Sequence, residues 1–141
     1  MHPNIEPFAS GLWLKGSDVA IFNFGTPITG LFEVAKSTQS SLVDMRWIKP
    51  IDEDLVLDIA SSHSCIITLE DNAISGGAGS GINEFLNARH FNNRVINLGI
   101  EDHFVDHGKQ GSLRETAICD AERLRKVVYD LRANELTNLP Y

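Results

Sequence analysis

Short apolar segments with the composition of β-strands alternate with helical patterns along most of this chain, and no other feature restricts its fold as strongly. The strand-like segments are residues 11–15, 18–23, 41–44, 65–69 and 95–98. Amphipathic helical patterns separate the last four of these segments. Strands that alternate with helices predict right-handed crossovers and a mainly parallel sheet covered on both faces. We therefore expect a three-layer α/β/α domain of the α/β class.

The first strand-like segment differs from the others in its connection. Only residues 16 and 17 separate it from the segment that begins at Asp18. A parallel crossover needs a dozen or more residues, so this segment is expected to be an antiparallel or edge strand. The predicted sheet is thus five-stranded and mainly parallel, with one antiparallel edge strand.

Capping residues indicate where the helices begin. Thr26 can cap the first helix with Pro27 at its first helical position. The acidic residues 52–54 favour the start of the second helix, and Asp120 can cap the last. The apolar positions expected to face the core recur at helical spacing. They are Ile28, Leu31, Phe32 and Ala35, then Ile82, Phe85 and Leu86, and finally Leu124, Val127, Val128 and Leu131.

The length predicts a single domain, because 141 residues are enough for one proper core and too few for two. Residues 11–133 carry the alternating pattern and form the expected domain. Residues 1–10 and 134–141 are polar or interrupted by proline, and we expect both segments to be loosely held.

Charged residues follow the carboxyl ends of several predicted strands. In an open parallel sheet these loops meet at one edge, where ligands and partners tend to bind. The topology therefore brings Arg46 together with the loops that contain residues 70–72 and 101–103. A contact with another domain would show the same mixed charge as a ligand site. Arg46 is also explained by a salt bridge to a neighbouring acid.

The glycine-rich segment 76–81 allows two interpretations. Glycines before a helix can expose backbone N–H groups to an anion, which suggests a free-standing anion- or nucleotide-binding module. The spacing, however, fits neither a dinucleotide-binding fingerprint nor a P-loop, because Ile82 stands where a P-loop has lysine. The second interpretation is a tight turn with close packing of a helix on a strand, which glycine also permits.

Metal binding and nucleophilic hydrolysis are both poorly supported. His103 and His107 have a spacing that suits a metal only on a regular helix, and the glycines at 99 and 108 make such a helix doubtful. No third ligand is apparent, so no metal site is predicted. The chain also lacks a G-x-S-x-G motif.

The net charge argues against binding to nucleic acid. The chain has 12 basic and 19 acidic side chains, a net charge of −7, and its basic residues are scattered. It contains no apolar run long enough to cross a membrane and no secretory leader pattern at Met1. Its two cysteines, Cys65 and Cys119, are far apart in sequence, which fits a reducing compartment. We therefore expect a cytoplasmic protein that contacts neither nucleic acid nor membrane.

Four segments in a fixed order carry a family resemblance. They read DVAIFNFGT (18–26), LVDMRWIKPIDEDL (42–55), ITLEDNAISGGAGSGINEFL (67–86) and VINLGIEDHFVDHG (95–108). The chain thereby resembles the transketolase-like C-terminal domain of 1-deoxy-D-xylulose-5-phosphate synthases from residue 11 to about residue 131. A looser form of the pattern occurs in transketolases and in pyruvate dehydrogenase beta subunits. Residues 117–119 depart from the family, which usually has a Gly-Leu pair there.

The resemblance implies a parent enzyme that depends on thiamine diphosphate and Mg²⁺. Such an enzyme joins pyruvate to glyceraldehyde 3-phosphate with loss of carbon dioxide, in the supply of isoprenoid and thiamine precursors. The family holds its cofactor between an N-terminal and a central domain, which this chain lacks. No catalytic, cofactor-binding or metal-binding residue therefore carries over to this chain, and the chain alone is expected to be inactive. A plant or algal source would imply a plastid location.

The role that the resemblance does imply is structural. The C-terminal domain packs on the N-terminal and central domains of the same enzyme and helps to form a homodimer. The candidate contact edge consists of Arg46, Glu70, Asp71, Asn72, Gly76, Gly77, Gly79, Asp102 and His103. Two alternatives stay open at this point: the free-standing anion-binding module and the C-terminal domain of another transketolase-like enzyme.

Overall fold

The computed structural model describes residues 10–100 and 121–133 of the chain. Asp102, His103, His107, Cys119 and Asp120 lie outside these ranges. Within them the chain forms β1 (Gly11–Leu14), β2 (Asp18–Phe24), α1 (Ile28–Thr38), β3 (Ser41–Asp44), α2 (Glu53–Ser62), β4 (His63–Ala73), α3 (Ala78–Ala88), β5 (Arg94–Ile100) and α4 (Ala121–Ala133).

The five described strands form one sheet in the order β1-β3-β2-β4-β5. The strand β1 pairs with β3 in antiparallel orientation at the edge of the sheet, and every other neighbouring pair is parallel. The predicted α/β fold, with its mainly parallel sheet and single antiparallel edge strand, is confirmed. The connection between β1 and β2 is too short for a crossover, whereas each parallel connection between β2, β3, β4 and β5 contains a helix.

Side chains of the central strand β2 alternate between two apolar layers. Val19 and Ile21 pack with the buried faces of α1 and α4, and Ala20 and Phe22 pack with those of α2 and α3. A strand that is covered on both faces has no solvent side, which explains why five of the seven residues of β2 are apolar. The predicted apolar face of the last helix is confirmed, since its four positions are at most 5% exposed.

Helix α1 begins one residue later than the capping pattern predicted. Pro27 occupies the N-cap position, and no side chain caps the helix. The hydroxyl of Thr26 instead hydrogen-bonds the side chain of Asn23 at the end of β2. The start of α2 follows the prediction, because Asp52 is its N-cap and accepts a hydrogen bond from the backbone N–H of Leu55 at 3.2 Å.

Strand β4 is longer than predicted and runs to Ala73, so that residues 70–72 belong to the strand. The pairing with β5 shifts between Leu69 and Ala73, which marks an irregularity where β4 has more residues than its partner. Helix α3 then begins at Ala78, inside the glycine-rich segment. Only Gly76 and Gly77 precede the helix, whereas Gly79 and Gly81 lie within it.

Candidate functional site

The carboxyl ends of the parallel strands meet at one edge of the sheet. In the strand register Asn23 lies opposite both Asp44 and Leu69, and Phe24 lies opposite Glu70. The loops that leave β2, β3 and β4 therefore begin close together, as the topology predicted. Of the candidate contact residues, the structure places seven at or beside this edge; they are Arg46, Glu70, Asp71, Asn72, Gly76, Gly77 and Gly79.

Glu70 is the only buried carboxylate among these seven residues, and its side chain turns inward. It is 2% exposed, and its two oxygens accept hydrogen bonds from the first backbone N–H groups of α3. The distances are 2.8 Å to the nitrogen of Ala78 and 3.1 Å to that of Gly79. The first N–H groups of a helix have no partner within the helix, and the helix dipole favours negative charge there. Glu70 therefore caps α3 from the neighbouring strand.

The glycines on either side of this cap make the close approach possible. A Cβ atom at Gly77 would clash with the carboxylate of Glu70 and with the carbonyl oxygen of Ala73. A Cβ atom at Gly79 would lie 2.7 Å from Oδ1 of Asn97 and would also clash with the hydroxyl of Thr68. These contacts support the interpretation of a tight turn with close helix–strand packing. Glu70 also occupies two of the backbone donors on which the anion-binding interpretation depends, those of Ala78 and Gly79.

Gly76 has a different role from Gly77 and Gly79. Its φ of +72° lies in the left-handed region, and nothing lies within 4 Å of the position where a Cβ would be. Backbone conformation, and not crowding, therefore favours glycine at this turn. Gly76 and Asn72 are exposed, and Asp71 is half-buried. These three residues form part of the outer surface of the edge, whereas Glu70 is buried beneath it and holds the start of α3.

Arg46 lies beside the carboxyl end of β3 and pairs with a neighbouring acid. Its Nε atom is 3.3 Å from Oδ2 of Asp44, and both side chains are partly buried. The salt bridge that the sequence offered as one explanation of Arg46 is thus present. The backbone φ of Arg46 is +50°, which is uncommon for a residue other than glycine. Trp47 and Ile48, which follow it, are both exposed.

Asn23 organises the edge in a way that the sequence analysis did not identify. It is 2% exposed, and its side chain holds the loop that leaves β2. Its Nδ2 donates to the carbonyl of Thr26 at 2.9 Å, and its Oδ1 accepts from the backbone N–H of Thr26 at 3.2 Å. Asparagine at a strand end before Phe-Gly-Thr is a turn signal, since its side chain bonds the backbone of the following residues. That signal was available in the sequence.

A buried Ser–His pair lies at the amino ends of β3 and β4, away from the carboxyl edge. The Oγ of Ser41 is 2.9 Å from Nε2 of His63, and Nδ1 of His63 is 3.0 Å from the carbonyl oxygen of Ile59. Oγ of Ser62 also lies 2.9 Å from Nδ1, so both ring nitrogens of His63 have hydrogen-bond partners. Ser41 and His63 are both buried, at 0% and 8% exposure. The pair therefore ties β3 to the α2–β4 connection and offers no accessible nucleophile.

Neither a metal cluster nor a membrane-spanning helix is found among residues 10–100 and 121–133. In these ranges no group of three or more His, Cys, Asp and Glu side chains is arranged to hold a metal ion. None of their helices combines the length and apolar character needed to cross a bilayer. Every buried side-chain nitrogen or oxygen that the structure describes has a hydrogen-bond partner. The buried polar side chains of the described edge are thus all hydrogen-bonded within the chain.

Comparison with known proteins agrees with this geometry. The family model "Transketolase, C-terminal domain" matches residues 13–124. The 1-deoxy-D-xylulose-5-phosphate synthase of Serratia proteamaculans is 45% identical over 126 residues, which are 89% of this chain and 20% of that protein. The synthase of Enterobacter sp. (strain 638) is 49% identical over 116 residues, 82% of this chain and 19% of that protein. The chain spans about one fifth of the length of these curated relatives.

A solved structure shares the fold along nearly the whole chain. It is described as "Split gene transketolase, inactive beta4 tetramer" and superposes with a TM-score of 0.77 at 28% sequence identity. The match covers 92% of this chain and 44% of that protein. Both comparisons therefore relate this chain to one part of a longer polypeptide.

Proposed function

The chain belongs to the transketolase C-terminal domain family, and from this premise we propose that it is the C-terminal domain of a 1-deoxy-D-xylulose-5-phosphate synthase. The observation that carries the proposal is the 45% identity to one such synthase over 89% of the chain. The parent enzyme would join pyruvate to glyceraldehyde 3-phosphate with release of carbon dioxide. Its products would feed the synthesis of isoprenoids and thiamine.

The cofactors of the parent, thiamine diphosphate and Mg²⁺, are assigned to its other domains. The described residues of this chain do not fit either group. The first two backbone donors of α3, which a diphosphate would need, are engaged by Glu70. The acids at the edge include Glu70, which serves that cap, and Asp44, which pairs with Arg46. We therefore derive no catalytic step from this chain.

The function proposed for the chain itself is to support and contact the catalytic domains and to contribute to a homodimer. Arg46, Asp71, Asn72 and Gly76 would form the contact, since they lie on the outer side of the carboxyl edge. Glu70, with the glycines at 77 and 79, would act indirectly by fixing the shape of that edge. Asp102 and His103 are retained as candidate contact residues from the sequence.

The free-standing anion-binding module is not favoured, because the chain supplies its own anion at the only helix start that suggested it. The reaction of the parent enzyme would distinguish a synthase from another transketolase-like enzyme. The proposed synthase would use pyruvate and release carbon dioxide from it. Substrate dependence therefore separates these alternatives.

The test is an assay of the native polypeptide that contains this chain. It should release carbon dioxide from pyruvate only when glyceraldehyde 3-phosphate and thiamine diphosphate are both present, and the 141-residue chain alone should show no turnover. A polypeptide that releases no carbon dioxide under these conditions would overturn the proposal. We also propose a cytoplasmic location, or a plastid in a plant or alga, and cell fractionation with an antibody to this chain would test it.

A further inference from the structure

Two short segments in the described ranges carry four exposed, large apolar side chains. Leu12 and Trp13, in β1, are 46% and 43% exposed, and Trp47 and Ile48, after β3, are 38% and 57% exposed. We call these four residues the corner patch. Tyr129 on α4 is also exposed, at 51%, and lies outside the patch.

The two segments meet at one corner of the sheet. In the antiparallel register Gly11 lies opposite Asp44, so the start of β1 is beside the end of β3. A Cβ atom on Gly11 would lie 2.7 Å from the guanidinium of Arg46 and 3.3 Å from the indole nitrogen of Trp13. The side chains of Arg46 and Trp13 therefore flank the same point. This corner is continuous with the carboxyl edge through Arg46.

Large apolar side chains that cluster on a surface beside a charged residue are typical of protein contacts. Aromatic residues and arginine are enriched in the cores of such contacts. Isolated exposed apolar residues need no explanation, but two tryptophans and two aliphatic residues at one corner do. The corner patch is thus the strongest apolar contact surface in the described part of the chain.

We propose that the corner patch is the surface on which the preceding domain of the parent enzyme docks. This inference rests on the proposed function, since about four fifths of each synthase relative lies outside the matched domain. A C-terminal domain is entered through its first strand, which here is β1 at this corner. Ser10, just before β1, is held by hydrogen bonds to Asp52 at 2.7 Å and to the carbonyl of Met45 at 3.0 Å. A preceding domain is therefore connected beside the patch, at a high effective concentration.

A second copy of this chain is the less favoured occupant. Strand β1 has only four residues, its register shifts between Leu12 and Leu14, and Lys15 follows it. Short, irregular edge strands with a lysine are the features that prevent pairing between the edges of two sheets. The exposed edge of β1 is thus unsuited to join a second sheet, while the side chains of the patch stay available to a tethered domain.

The two tryptophans make the inference measurable, because they are the only tryptophans in the chain. Hydroxyl-radical footprinting of the full-length parent polypeptide, read by mass spectrometry, gives the labelling rate of each side chain. After correction for intrinsic reactivity, Trp13 and Trp47 should be labelled about fivefold more slowly than their exposure in the domain predicts, as expected for an interface core. In the double variant Trp47→Lys/Ile48→Asp, the protection of Trp13 should be lost. Tyr129→Lys serves as the matched control and should leave both tryptophans protected.

Each outcome has a defined meaning. Labelling of both tryptophans at the rate that their exposure predicts would overturn the docking inference. Protection that disappears on dilution would also overturn it, because a second copy would then be the occupant. Carbon dioxide release from pyruvate by the same preparation tests the proposed function separately. An active but unprotected enzyme refutes only the docking, whereas an inactive but protected polypeptide refutes only the synthase function.

Discussion

Replacement of Glu70 tests whether its carboxylate holds the start of α3. The side chain is buried, and each of its oxygens accepts one backbone hydrogen bond, from Ala78 and Gly79. Glu70→Gln preserves the size of the side chain but keeps only one accepting oxygen. Its amide group would face one of the two N–H groups, so that two donors would point at each other.

The expected loss follows from the number of hydrogen bonds removed. A hydrogen bond to a charged group contributes about 1.5–3 kcal/mol, and a buried donor without a partner costs about 1–3 kcal/mol. Because Glu70→Gln breaks one of the two bonds, we expect the free energy of unfolding to fall by about 2 kcal/mol. Glu70→Ala breaks both and leaves a cavity, and we expect a loss of about 4 kcal/mol.

Urea unfolding followed by far-ultraviolet circular dichroism measures both losses. Glu84→Gln is the matched control, because Glu84 is exposed on α3, the helix that Glu70 caps. Its effect on the free energy of unfolding should stay within about 0.5 kcal/mol. If Glu70→Gln unfolded within about 0.5 kcal/mol of the unmodified chain, the buried carboxylate would not be the cap that we describe.

Three further predictions concern the same edge. Gly79→Ala should destabilise the chain by about 1–3 kcal/mol in urea unfolding, because its Cβ would collide with Thr68 and Asn97. Gly81→Ala, where nothing lies within 4 Å, should instead be neutral or stabilise α3 by up to about 1 kcal/mol; equal effects of the two changes would contradict the packing argument. Asn23→Ala should lower the free energy of unfolding by about 1–2 kcal/mol, since the Thr26 backbone loses its partners, and an unchanged urea midpoint would refute this role. Inorganic phosphate should leave the melting temperature of the chain unchanged, because Glu70 occupies the N–H groups of Ala78 and Gly79; a saturable rise would restore the anion-binding interpretation.

The arrangement of strands and helices could be predicted because burial leaves a direct trace in the sequence. Residues 19–22 of β2 are all apolar since both faces of the strand are covered, and the last helix shows its buried face at helical spacing. The short link before Asp18 identified the antiparallel edge strand. These are local patterns that one segment carries by itself.

The details of the carboxyl edge depend on contacts between segments, and the sequence did not reveal them. Glycine-rich sequence suggested a turn throughout residues 76–81, but the carboxylate of Glu70 allows α3 to begin at Ala78. Thr26 did not cap α1, because Asn23 engages its side chain. Topology placed Arg46 and Glu70 at one edge, yet it could not distinguish a side chain directed inward from one directed outward. Local pattern therefore predicts the elements, while the direction of each side chain requires its neighbours.

The size of the native polypeptide tests the central claim most directly. An antibody raised against this chain, used on an extract of the source cells, would detect every polypeptide that contains it. Our account predicts a band several times larger than 15.6 kDa, because the synthase relatives carry this domain as about one fifth of their length. A single band at 15.6 kDa would contradict the account, since the catalytic domains would then be absent from the protein.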